Sequence, residues 1–88
     1  MSGVRDLVFF LAQAVLPDCK FIDVTEREDN DQLVFDISVP EDEVGRLIGR
    51  HGRIIQSIRS VAKAVAKRKG IHINIEVIGR IDQPEVSG

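Results

Sequence analysis

The chain has 88 residues, 30% of them charged, a formal net charge of −2, one cysteine, and neither Trp nor Tyr. A chain of this length is expected to form one domain with a modest core, burying ~60 to 65% of its unfolded surface. A single cysteine, Cys19, excludes an internal disulfide, and the absence of CxxC or nearby His/Cys spacing argues against structural zinc, so a reducing, cytoplasmic setting is expected with Cys19 as a small semi-buried hydrophobe.

In chain order, Val4, Leu7, Val8, Leu11 and Val15 recur at helical spacing, and Pro17 stops the helix just past Leu16. Its apolar run LVFFLAQAVL is ten residues long, too short to span a bilayer, and lacks a small-residue cleavage site. CKFIDVTE then reads as a β-branched and aromatic strand, REDNDQ as a polar turn, and LVFDISV as a second strand. Leu33, Phe35, Ile37 and Val39 share one face of that strand, with Val34, Asp36 and Ser38 on the other. Pro40 and the acidic Glu41, Asp42 and Glu43 suit a helix start, and that short helix ends at Gly49.

A further helix is expected from Arg53 to Lys69, with Ile54, Ile58, Val61, Ala62 and Val65 on its apolar side and Gly70 as its C′ residue. IHINIEVI alternates as a half-buried strand, with His72 outward, and the closing GRIDQPEVSG has no periodicity. A single domain is therefore expected over residues 1–80, with a loose tail over 81–88. The order α-β-β-α-α-β, with strands apolar on one face, predicts a two-layer α+β fold: a three-stranded sheet carrying three helices on one face.

Charge is divided along the chain. From Met1 to Glu43 three basic residues face eleven acidic ones, a net of −8, whereas from Val44 to Arg80 nine basic residues face Glu76 alone, a net of +8. A protein acidic on average can thus still offer a polyanion a basic surface. The stretch GRLIGRHGRI concentrates this tendency between the second and third helices. There Gly49 and Gly52 bracket two outward residues, Arg50 and His51, so that backbone N–H groups near a helix N-terminus can approach a phosphate closely. Arg50 and Arg53 add charge at the same place.

LIGRHGRII resembles the I-G-x-x-G-x-x-I signature of KH domains, and the element order is similar to the type II, prokaryotic arrangement. The resemblance covers nearly the whole chain and extends to the small bacterial KhpA-type proteins. It implies a loop that holds about four nucleotides of single-stranded RNA, and a role as RNA chaperone or post-transcriptional regulator. It further implies a homodimer, or a heterodimer with a KhpB (Jag)-type RNA-binding protein, and a link to cell shape in some bacteria. The RNA-binding residues so expected are Arg46, Ile48, Gly49, Arg50, His51, Gly52, Arg53 and Ile55. His51 stands where many relatives carry lysine or arginine.

Other residues read more plainly. Arg46 and Arg59 either reach the groove or pair with the acidic half; Arg53, Ser60, Lys63 and Lys67 share one side of the third helix and either extend a phosphate track or keep that face soluble. Ser57, Val61, Ala64 and Arg68 form a mostly small or apolar flank that suits a dimer surface, unless Val61 and Ala64 only widen the core. Asp29, Asn30 and Asp31 are turn residues, since the glycine and later glutamate of a calcium loop are missing. No catalytic constellation, cofactor motif or metal-ligand set can be assembled, and the glycine spacing is not a P-loop. An RNA-binding module is the leading expectation; the alternatives are a KH-fold module serving mainly to dimerise and an enzyme binding a phosphorylated ligand.

Overall fold

The computed structural model describes residues 3–81, so the tail expected over 81–88 lies, Ile81 apart, outside the described residues. Helix α1 (Gly3–Val15) presses Val4, Val8 and Ala12 into the core. Gln13 Nε2 donates to the carbonyls of Leu16 (3.1 Å) and Cys19 (3.2 Å), and the Cys19 N–H donates to the Leu16 carbonyl at 3.1 Å. These bonds tie Cys19 back to the helix end. Strand β1 therefore covers Asp23–Asp29 and not the expected Cys19–Glu26.

Strand β2 (Gln32–Pro40) pairs antiparallel with β1 through a two-residue turn in which Asn30 and Asp31 both have positive φ (52° and 68°). Such a turn matches the twist of paired strands. It carries Arg27, Glu28 and Asp29, expected in the turn, into the ladder opposite Val34, Leu33 and Gln32. Strand β3 (Ile73–Arg80) lies parallel to β2 on its other side, giving the order β1-β2-β3. A parallel neighbour needs a long crossover, and the helices between Pro40 and Ile73 supply it. Gly79 and Arg80, expected in the aperiodic end, pair with Val39 and Pro40, and Arg80 donates to the carbonyls of Ser38 and Phe21.

The core lies between sheet and helices, around Phe35, Ile37, Val39, Leu47, Ile58 and Ile75. On the opposite face of the sheet Asp36 and Glu76 are cross-strand partners, an arrangement of like charges that destabilises a sheet by itself. Arg27 resolves it, donating to Asp36 Oδ2 at 2.8 Å and to Glu76 Oε1 at 3.3 Å. Its pKa is raised, chiefly by the hydrogen bond to Asp36. Asp36 is thus accommodated at only 7% exposure.

Helix α3 (Arg53–Arg68) is rotated from the expected face: Ile55, Ile58, Ala62 and Ala66 are buried, while Val61 is 45% exposed. Large apolar residues dominate a periodicity count, but Ala62 and Ala66 lie in the core and leave Val61 outside. Gly70 has the expected left-handed φ of 75°. Among the described residues no helix is long and apolar enough to cross a membrane.

The crossover begins with a 3₁₀ turn (Glu41–Glu43) and helix α2 (Val44–Ile48), then passes through a second 3₁₀ turn (Arg50–Gly52) into α3. Gly49 sits at φ 80°, ψ 171°, a region essentially restricted to glycine. A Cβ there would meet Ile54 Cγ1 at 2.6 Å, whereas a Cβ on Gly52 (φ 71°) would meet nothing within 4 Å. Gly49→Ala should therefore cost about 2–4 kcal/mol, combining backbone strain with overpacking, and Gly52→Ala about 1 kcal/mol from its left-handed backbone alone. Urea melts of the two variants check this, and equal losses would contradict it.

Candidate nucleic-acid interface

The turn between α2 and α3 places Arg50 and His51 in solvent. His51 itself has φ 58°, ψ 23°, so it and Gly52 form two consecutive left-handed residues. A non-glycine residue in that region costs free energy and persists only where its surroundings impose it. Here the imposed shape lifts the Arg50–His51 pair clear of both helices. Gly52 precedes α3 without any side-chain cap, and although the Gly52 and Arg53 N–H groups donate to the Gly49 and Arg50 carbonyls of the turn, the positive end of the helix dipole lies here. Arg53 is exposed at the same corner.

Beside the turn lies a cleft of about 470 Å³. Ile48, Gly52 and Ile55 line one side and Glu76 and Val77 the other, with Gln56 and Arg59 along its length. Ile55 is only 4% exposed, so it serves the core and the apolar wall of the cleft together. Ile48 is half-buried. Among the described residues the wall formed by β3 is a free sheet edge, since its one paired neighbour is β2. Leu33 donates to His72 on the β2 side, and the parallel ladder alternates, which directs the N–H and C=O of Ile75 and Val77 off the sheet. At Ile75 these groups are already occupied: Asn74 Oδ1 accepts from the Ile75 N–H at 2.9 Å, and Arg59 donates to the Ile75 carbonyl from Nε (3.2 Å) and Nη2 (3.1 Å).

The two arginines left open by the sequence separate here. Arg59 lies in the cleft, anchored on β3, whereas Arg46 pairs with Glu43 at 3.1 Å on the exposed side of α2. Of the expected residues, Ile48, Gly52 and Ile55 line the cleft; Gly49, Arg50 and His51 belong to the turn that adjoins it at Gly52; Arg53, the next residue, lines a separate cleft between α1 and α3; and Arg46 stands apart in an ion pair. Gln56, Arg59 and Val77 join them. Arg59 was visible as a cation four residues before Lys63, but the outward direction of the Val77 N–H and C=O follows from the ladder, which no side-chain pattern reveals.

Charge is distributed in space as along the chain. The β1 edge carries Asp23, Glu26, Glu28 and Asp29, all exposed, while Arg50, Arg53, Arg59, Lys63 and Lys67 belong to the turn and α3. An anion is therefore favoured on the α3 side and disfavoured at the β1 edge.

A family model described as the KhpA/KhpB KH domain matches residues 5–77. The RNA-binding protein KhpA of Aquifex aeolicus is 28% identical over 78 residues, covering 89% of this chain and 99% of that protein. The protein of the same name from Halalkalibacterium halodurans is 29% identical over 75 residues, 85% of this chain and 99% of the relative. Among solved structures, Era in complex with MgGDPNP and nucleotides 1506–1542 of 16S ribosomal RNA is similar in fold, with a TM-score of 0.66 at 18% identity over 92% of this chain. The chain spans 31% of that Era chain. With a match running from α1 into β3, and the glycine-bracketed turn set between two helices of an α-β-β-α-α-β fold, the chain belongs to the KhpA/KhpB KH-domain family.

Proposed function

We propose that the protein binds single-stranded RNA where α2, α3 and β3 meet, as an RNA chaperone or post-transcriptional regulator of the cytoplasm. The observation that carries this reading is the junction of the Gly49–Gly52 turn with a cleft whose far wall is a free strand edge. Phosphates sit against the turn, drawn by Arg50, His51 and Arg53 and by the positive end of the α3 dipole. Bases lie across Ile48 and Ile55, with edges read by the N–H and C=O of Val77. The chain has neither Trp nor Tyr for base stacking, so sequence preference is modest and the site holds about four nucleotides. The family is a binding family, and the site calls for no catalytic group.

Changing both Arg50 and His51 to Asp should leave the circular dichroism spectrum intact, since both side chains are exposed, and weaken binding of a short single-stranded RNA about 30-fold or more. Wild-type affinity should fall with salt at a log-log slope of roughly −1.5 to −3, as for two to four phosphates on a single strand. Equal affinity of the double variant at ~100 mM salt would overturn the reading.

So small a footprint gains useful affinity when two RNA-binding units are joined, and a homodimer, or a heterodimer with a KhpB (Jag)-type protein, supplies that. The flank Ser57, Val61, Ala64 and Arg68 is exposed throughout. Between α1 and α3 a largely apolar cleft of about 380 Å³ adjoins it, lined by Leu11, Ala14, Val15, Ile54, Ile58 and Val61, with Arg53 and Ser57 also lining it. Phe10, 66% exposed, lies one helical turn before Ala14 on α1. This surface, broader on the α1 side than the sequence suggested, is where a second chain packs. Val61→Glu should give a folded monomer with weaker RNA binding, read by light scattering and titration. A monomeric wild type at ~100 μM would contradict the dimer, since an interface that contributes to avidity must be filled at such a concentration.

A further inference from the structure

A second cleft of about 470 Å³ lies at the far end of α3. Its apolar floor is Ala66, Ile71 and Ile73, and Lys63, Lys67 and His72 stand over it. Gln32, at the start of β2, adds a side-chain amide, and no carboxylate lines it. The contrast with a roomier cleft of about 620 Å³ is one of charge, because there Asp18, Glu41, Asp42 and Glu43 outnumber Lys20 and Arg80. A phosphate is repelled there and attracted at the end of α3.

The second cleft continues the first. Helix α3 runs away from the turn and β3 returns beside it, with Arg59 bonded to Ile75, Gln56 and Val77 sharing the first cleft, and Lys63 and Ile73 sharing the second. Arg59, Lys63 and Lys67 recur every four residues, the spacing of one helical face. The two clefts thus lie in line along a furrow beside α3 and β3; they share no lining residue, Arg59 stands between them where it clasps the Ile75 carbonyl, and Gln32 of β2 also lines the second. From Gly52 to Lys67 the helix carries this furrow ~22 Å from the turn, at 1.5 Å per residue.

We infer that the furrow is a continuous track for single-stranded RNA, and that the second cleft seats nucleotides beyond those held at the Gly49–Gly52 turn. This rests on the RNA-binding reading above. A backbone phosphate lies between Lys63 and Lys67, and the base rests on Ile71 and Ile73. His72 offers a ring to stack on, in a chain that has no Trp or Tyr. Arg59 sits between the two seats, so the strand passes over a guanidinium already fixed to the protein.

The test is the length dependence of binding, read by fluorescence anisotropy with unstructured four- and ten-nucleotide RNAs. Lys63→Glu combined with Lys67→Glu should keep the fold, because both side chains are exposed. The pair should leave the four-nucleotide affinity within about twofold, weaken the ten-nucleotide affinity about tenfold or more, and flatten its salt slope by about 0.7, the increment of one single-strand phosphate. Wild-type affinity of this pair for the ten-nucleotide RNA, or equal losses at both lengths, would overturn the second seat. The Arg50→Asp, His51→Asp variant separates the two readings. If it loses both RNAs while the lysine pair loses neither, the second cleft alone is wrong; if it binds both as wild type does, the RNA site at the turn is wrong.

Discussion

The interface depends on one steric constraint, the absence of room for a Cβ at Gly49. Its backbone occupies a region closed to other residues, with Ile54 packed where a side chain would begin. Because Ile54 belongs to the first turn of α3, that contact sets how closely α3 follows α2. The close approach leaves Arg50 and His51 nowhere to go but outward, and it brings Gly52 and Ile55 to the margin of the cleft. Packing, and not charge, therefore determines where the charges stand. Arginines on a looser link would supply the same net charge without holding it over a defined groove.

Electrostatics then acts on a shape already fixed. Acidic residues of the first half form the β1 edge, basic residues of the second half line α3, and β2, whose one charged residue is the buried Asp36, lies between the two edges at the centre of the sheet. Glu76 is the exception, an acidic residue on the strand that borders the groove. Arg27 reaches it across the open face of the sheet and holds it beside Asp36, which places a cation next to the one carboxylate bordering the cleft. A residue of the acidic half thus protects the field of the basic half. The same bond quiets the repulsion between Asp36 and Glu76 and lets a carboxylate be buried in the sheet.

Much of this was legible in the sequence because it is carried by periodicity and by glycine. The alternation in Leu33–Val39 and Ile71–Ile78, the stop at Pro17 and the cap at Gly70 each follow from local stereochemistry, and the glycine-bracketed turn marked the candidate site. What was not legible depends on contacts distant in sequence or on backbone atoms. Cys19 has strand-like neighbours, yet its hydrogen bonds to Leu16 and Gln13 hold it to the helix. Val61 has the spacing of a core residue, yet Ala62 and Ala66 take the buried side of α3. The choice of Arg59 over Arg46 for the groove turns on a carbonyl of β3, and the part given to Val77 rests on which edge of a parallel ladder stays open. None of these leaves a trace in residue type.

The central claim is that the turn and the free edge of β3 form one binding surface. Amide chemical-shift mapping with a short unstructured RNA tests it most directly. Saturable shifts should cluster at Gly49 to Gln56 and at Val77, with Glu26, Glu28 and Asp29 on the opposite edge unmoved. Shifts confined to the β1 edge or the open face of the sheet, with the turn silent, would contradict it.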